Sequence, residues 1–146
     1  MKFPYMNLGQ GIYRPIIPFH ISYQGGKAIK YFGLVDSGAD FTYIAGELAP
    51  VIGIKHIKTG KEESVSGIGG VSKVYFHPVT INIGGNNFDI EAGFTTDSTI
   101  SDFGCGLLGQ AGLFDYCTIK FSRRKFEMEI TPVPPELKGT ELKGKR

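Results

Sequence analysis

At 146 residues, with 41% hydrophobic and 21% charged side chains, the chain has the size and composition of one folded domain and not of a disordered segment. Its net charge of +2 is carried by residues 136–146, where Lys138, Lys143, Lys145 and Arg146 face Glu136 and Glu141. The body is therefore about neutral, and nothing argues for a nucleic-acid-binding face. No charged-then-apolar leader and no apolar run of membrane-spanning length is present, so the expectation is a soluble, cytoplasmic protein without membrane partners.

Twenty-one glycines among short β-branched runs predict short strands joined by tight turns, an all-β domain. Residues 1–14 show no period and read as an N-terminal arm. Residues 16–23 and 28–35 flank the turn cluster Gln24-Gly25-Gly26-Lys27 and predict a hairpin that ends at Asp36. Residues 41–44 form a short strand, and residues 46–53 hold room for two helical turns before Gly53 stops them. Two successive hairpins follow: residues 64–76 around Gly67-Ile68-Gly69-Gly70, then 79–83 and 88–94 around Gly84-Gly85-Asn86-Asn87. Residues 95–106 read as a loop, Leu107-Leu108-Gly109 as a short apolar stretch, and 110–116 as one or two helical turns. A last hairpin joins 118–121 to 125–130, and the prolines from Pro132 end regular structure. The expected organisation is an arm (1–14), one domain (15–131) and a flexible tail (132–146).

The segment Gly33-Leu34-Val35-Asp36-Ser37-Gly38-Ala39-Asp40 sets a carboxylate directly after an apolar strand and before a hydroxyl and a glycine. Alone, Asp-Ser-Gly is an ordinary turn, because Asp and Ser cap local backbone groups and Gly adopts positive φ. With its apolar lead-in, its Ala-Asp continuation, the later glycine-tipped hairpin and Leu107-Leu108-Gly109, in that order, the chain resembles the retroviral-type aspartic proteases, or retropepsins. The resemblance spans residues 16–130. It implies a small closed barrel of the acid-protease (retropepsin) type with one or two short helices.

It also implies an aspartic endopeptidase. Such chemistry takes one carboxylate to draw a proton from water and one carboxylic acid to donate to the peptide carbonyl, and two adjacent carboxylates share a proton because they cannot both ionise. The motif occurs once here, and no internal repeat supplies another, so a symmetric homodimer is implied. By the resemblance, Asp36, Ser37 and Gly38 form the catalytic turn. Ala39, Asp40, Leu108 and the flap residues Gly67, Ile68, Gly69 and Gly70 contact an extended peptide. No cofactor or metal is expected. The alternative is a dimer of the same fold that binds peptide or protein without cutting it.

One position departs from the pattern. Viral members follow the apolar-apolar-Gly element with an arginine tied to the dimer interface, whereas this chain has Gln110; Arg14 of the arm is the candidate substitute. Other motifs carry no function. Asp102-Phe103-Gly104 matches a kinase triplet without a phosphate loop or catalytic loop around it. His20, His56 and His77 lack ligand spacing, and Cys105 and Cys117 are too far apart for a CxxC site, so buried free thiols are expected.

Overall fold

The structure, a computed structural model, describes residues 1–67 and 70–134. Its first strands lie in the segment expected to be an unpatterned arm. Strand β1 (Lys2–Pro4) pairs with a strand from the far end of the chain, and β2 (Met6–Asn7) with β3 (Tyr13–Arg14) makes a two-strand ribbon. Two-residue strands carry no readable period, and three successive positive-φ residues, Gly9, Gln10 and Gly11, turn the ribbon.

Alternation governs the next hairpin. In β4 (Ile16–Ser22) the side chains of Ile17, Phe19 and Ile21 are buried while Pro18 and His20 face outward, and β5 (Ile29–Val35) runs antiparallel beside it, Ile16 opposite Leu34 through Ile21 opposite Ile29. Strand β6 (Thr42–Ala45) is buried at all four positions, as a strand covered on both faces must be. Helix α1 (Leu48–Ile52) stops at Gly53, whose φ of 106° closes a left-handed cap that a side chain would strain.

The two glycine-turn hairpins share a strand. β7 (Lys61–Gly67) pairs with the first half of β8 (Gly70–Ile83), and β9 (Asn86–Thr95) pairs with β8 from Ile83 back to Val74. Residues 95–106 are more than a loop: α2 (Thr99–Phe103) occupies part of them and ends at Gly104, φ 88°. Then come β10 (Gly106–Leu108), β11 (Cys117–Ser122) and β12 (Glu127–Pro132). The helix expected at 110–116 is instead a run of turns, with the Leu113 and Phe114 N–H groups both donating to the Gly109 carbonyl and Gly112 at φ 126°.

Six strands close a barrel in the order β4-β5-β10-β6-β9-β8, completed by β8 pairing back to β4 through His20–Asn82, Ile21–Ile81 and Ser22–Thr80. β7 lies outside this ring, attached to β8. The inserted β10 is parallel to β5 and antiparallel to β6, while β6 is parallel to β9. A separate sheet, β1-β12-β11, ties both ends of the described chain together: the Met1 ammonium donates to the Ile130 carbonyl (2.9 Å) and the Ile130 N–H to the Met1 carbonyl (2.8 Å).

The barrel is filled by Ile17, Phe19, Ile21, Ile44, Ile81 and Phe94, and the core continues through Leu113, Met128 and Ile130 under the smaller sheet. Each such side chain contributes about 1.5–3 kcal/mol by leaving water. A second cluster, Ala39, Tyr43, Ala45, Val74 and Ile100, packs beside the turn that follows β5. Among the described residues no helix is long and apolar enough to cross a membrane.

Candidate active site

Strand β5 ends at Val35, and the next residue is held from two sides. The Val35 N–H donates to the Pro15 carbonyl (2.9 Å), and the Asp36 N–H donates to the Leu108 carbonyl (3.0 Å), continuing the parallel β5–β10 ladder by one step. The chain then reverses. Gly38 N–H donates to Asp36 Oδ1 (2.9 Å) and Ala39 N–H to the Asp36 carbonyl (3.3 Å), an Asx turn that fixes the carboxylate relative to its own backbone. Asp36 is half-buried, whereas Ser37 and Gly38 are exposed. A Cβ at Gly38 would stand 3.2 Å from Asp36 Oδ1, crowding the oxygen the turn orients.

Gln110 braces this turn. Its Nε2 donates to the Ser37 carbonyl at 2.7 Å, its own N–H donates to the Ala39 carbonyl at 2.8 Å, and the Ala111 N–H donates to the Asp40 carbonyl at 2.9 Å. Arg14, the candidate substitute from the arm, donates to the neighbouring Tyr13 carbonyl instead. Beneath the brace, the Thr42 hydroxyl donates to the Ala111 carbonyl (3.1 Å) and accepts from the Gly109 N–H (3.3 Å). Gly109 lies so close to the Phe41 and Ala39 carbonyls that a Cβ would overlap both. Thr42, Gly109 and Gln110 thus join the site. Gly109 had a signal in the sequence as the glycine of Leu107-Leu108-Gly109, and Gln110 as the departure from the viral pattern, whereas Thr42 had none.

The two leucines of β10 part company. Leu108 is fully buried in the barrel, packed where a Cβ on Gly33 would come within 2.8 Å of its Cγ. It therefore holds Asp36 through its carbonyl and does not offer a side chain to the surface, contrary to the expected peptide contact. Leu107, pointing the other way, lines a cavity of about 490 Å³ together with Asp36, Gly38, Ala39, Asp40 and Tyr43. The β7–β8 hairpin supplies the opposite wall with Val65, Ser66, Gly70, Ser72 and Val74. That hairpin stays paired up to Gly67 opposite Gly70, and Gly70 has φ 114°. Ile68 and Gly69, the rest of the expected tip, lie outside the described residues.

The remaining candidates sit elsewhere. His77 is buried with Nε2 2.6 Å from the Ile57 carbonyl, a satisfied core histidine. Asp102, Phe103 and Gly104 are the end of α2 and its cap. Cys105 and Cys117 are buried and not joined in a disulfide, and burial pushes the Cys105 thiol up, partly offset by a hydrogen bond to the Leu34 backbone. Among the described residues no three His, Cys, Asp or Glu side chains gather as metal ligands would.

The profile of the family described as retroviral aspartyl protease matches residues 12–114, which contain both the Asp36 turn and the β10 brace. Comparison with curated protein sequences gives no match. Among solved structures, a retropepsin-like aspartic protease from Rickettsia conorii is similar at TM-score 0.64 and 17% identity, covering 90% of this chain and 91% of its own. The EIAV protease, complexed with the inhibitor HBY-793, is similar at TM-score 0.50 and 19% identity, covering 72% of this chain and 88% of that one. With a barrel of the same architecture, an Asp-Ser-Gly turn at the end of β5 and a family match over most of its length, the chain belongs to the retroviral aspartyl protease family.

Proposed function

We propose that the chain is an aspartic endopeptidase that works as a symmetric homodimer, in which the Asp36 carboxylates of two copies meet at the two-fold axis. The observation that carries this reading is the Asp36 turn: one half-buried carboxylate, oriented by its own Asx turn and braced by Gln110, at the wall of a cavity under a glycine-tipped hairpin. Hydrolysis needs a second carboxyl group, and a two-fold axis supplies it from the same gene.

One Asp36, ionised, takes a proton from water while the other, protonated, donates to the scissile carbonyl oxygen. The water oxygen bonds to the carbonyl carbon, and the tetrahedral diol then breaks its C–N bond as the amine takes a proton. In this scheme Ser37 links the two turns across the axis, and Gly38 allows close backbone approach to the carboxylates. Ala39 and Asp40 lie along an extended peptide, and residues Gly67–Gly70 close over it, excluding water and donating backbone hydrogen bonds.

The test is cleavage of a mixed peptide library at acid to neutral pH by the wild type and by Asp36→Asn, with a statine-type transition-state inhibitor as control. The wild type should cut and the inhibitor should block it. The Asn variant should fold and dimerise yet lose activity by about a thousandfold or more. An active Asn variant would overturn the mechanism, and a confirmed dimer that cuts nothing would leave a peptide-binding module.

A further inference from the structure

Beyond the cavity beside Asp36 lies another, of about 720 Å³, bounded by the same two segments of chain. On one side is the β7–β8 hairpin, where Val65 stands opposite Ser72, Glu63 opposite Val74 and Lys61 opposite Phe76. Residues two apart on a strand share a face, so these three pairs form one surface running from the tip of the hairpin to its root. Val65, Ser72 and Val74 wall the cavity beside Asp36, and Lys61, Glu63 and Phe76 wall the outer one. On the other side the chain passes from Ala39 and Asp40 at the first cavity to Phe41 at the second, next to Ala111, whose N–H holds the Asp40 carbonyl. One cleft therefore runs outward from Asp36 along the hairpin.

Aromatic rings distinguish the outer part of this cleft. Tyr23, Phe41 and Phe76 line it, and each is half-buried, with part of its surface open. Phe41 meets Phe76 edge to face, ring centroids 5.1 Å apart at 69°, and meets Tyr43 of the first cavity at 6.3 Å and 83°, so its ring stands where the two cavities join. Charge does not mark the place: Lys61 is matched by Glu63 at 3.3 Å, and Glu91 is exposed. A further ring entering beside such a pair gains edge-to-face or offset contact beyond the area it buries.

Building on the proposed peptidase, we infer that the outer cavity takes an aromatic side chain of the peptide substrate, with Phe41 and Phe76 as the residues that set this preference. A peptide lying extended beside the hairpin turns every second side chain the same way, about 7 Å apart. The side chain that enters the outer cavity is therefore the one two residues beyond the side chain seated next to Asp36. A leucine there would fill part of the space without the ring contacts, and a serine would neither fill it nor bury apolar surface.

The test uses peptides identical except at one position, scanned outward from the scissile bond, bearing phenylalanine, leucine or serine. Affinity is read on the Asp36→Asn dimer, and kcat/KM on the wild type. At a position separated from the scissile bond by at least two residues, phenylalanine should exceed serine about tenfold and leucine about threefold. Phe41→Leu and Phe76→Leu, which keep apolar volume, should each remove most of the advantage of phenylalanine over leucine there, with thermal unfolding showing that the variants are folded. The scan on the wild type decides without them: phenylalanine no better than leucine at every outer position would overturn the inference, as would a preference that both folded variants leave intact. Absence of cleavage with the outer preference intact in binding would strike the peptidase reading alone, and peptides that neither bind nor are cut would overturn both.

Discussion

Gln110 is an exposed side chain that ties down the turn carrying the half-buried Asp36. Its amide reaches the Ser37 carbonyl from the far side of β10, so the turn carrying Asp36 is fixed by a contact 73 residues away in sequence. Removing it leaves no buried group stranded, since both residues are exposed, and the stability cost should be under about 1 kcal/mol. The effect should fall on geometry: Gln110→Ala is expected to lower kcat/KM about five- to tenfold while Tm changes little, with Gln110→Glu, which lacks the N–H, behaving the same way. Steady-state kinetics beside thermal unfolding would check this; unchanged kinetics would remove the brace from the catalytic account. The Asp36 turn itself was legible in the sequence because its chemistry is local, a carboxylate capping its own loop. Thr42 was not, because a threonine in a strand has β propensity as sufficient reason to be there, and only the fold brings its hydroxyl between Gly109 and Ala111. Whether Leu107 or Leu108 faces the cavity is a matter of register, which composition does not contain.

At the scale of elements, β10 is three residues long and yet holds the site together. It sits between β5 and β6, and its exit at Gly109 passes against two carbonyls of the turn that β5 launches. Gly109→Ala should therefore be severe, because the groups a methyl would meet are backbone and cannot rotate aside. A loss of about 3 kcal/mol or more is expected, read as a lower denaturation midpoint with an unchanged m-value. A wild-type midpoint would mean that the β10 exit can shift without cost. The hairpins β4–β5, β8–β9 and β11–β12 were readable because alternation and a turn signal lie side by side in the sequence. The parallel pairings β5–β10 and β6–β9 were not, since partners more than forty residues apart share no local signature. Helix α2 was hidden for another reason: five residues in a polar stretch give less than two turns of periodicity. The error at 110–116 was the converse, a segment of helical composition whose Gly112 adopts a φ no helix uses.

For the whole molecule, the family match and the fold do not end together. The match covers residues 12–114, and the sheet β1-β12-β11 lies wholly outside it, although the Rickettsia structure covers 90% of the chain. That sheet fastens both ends of the described chain to each other, so in the proposed homodimer each copy would fold its own barrel and core before meeting another. Assembly would then act on catalysis more than on folding, and the two can be separated by mixing. Asp36→Asn chains should fold, exchange with wild-type chains and occupy half of a dyad. In an equal mixture at random pairing, about a quarter of the dimers carry two aspartates, so activity per wild-type chain should fall to about half of its unmixed value. An excess of the variant should lower it further, towards zero. If each chain acted alone, activity per wild-type chain would stay constant at every ratio. Dilution gives the same discrimination without a variant: below the dimer dissociation constant, specific activity should fall in proportion to concentration, and a single-chain enzyme would show no such fall.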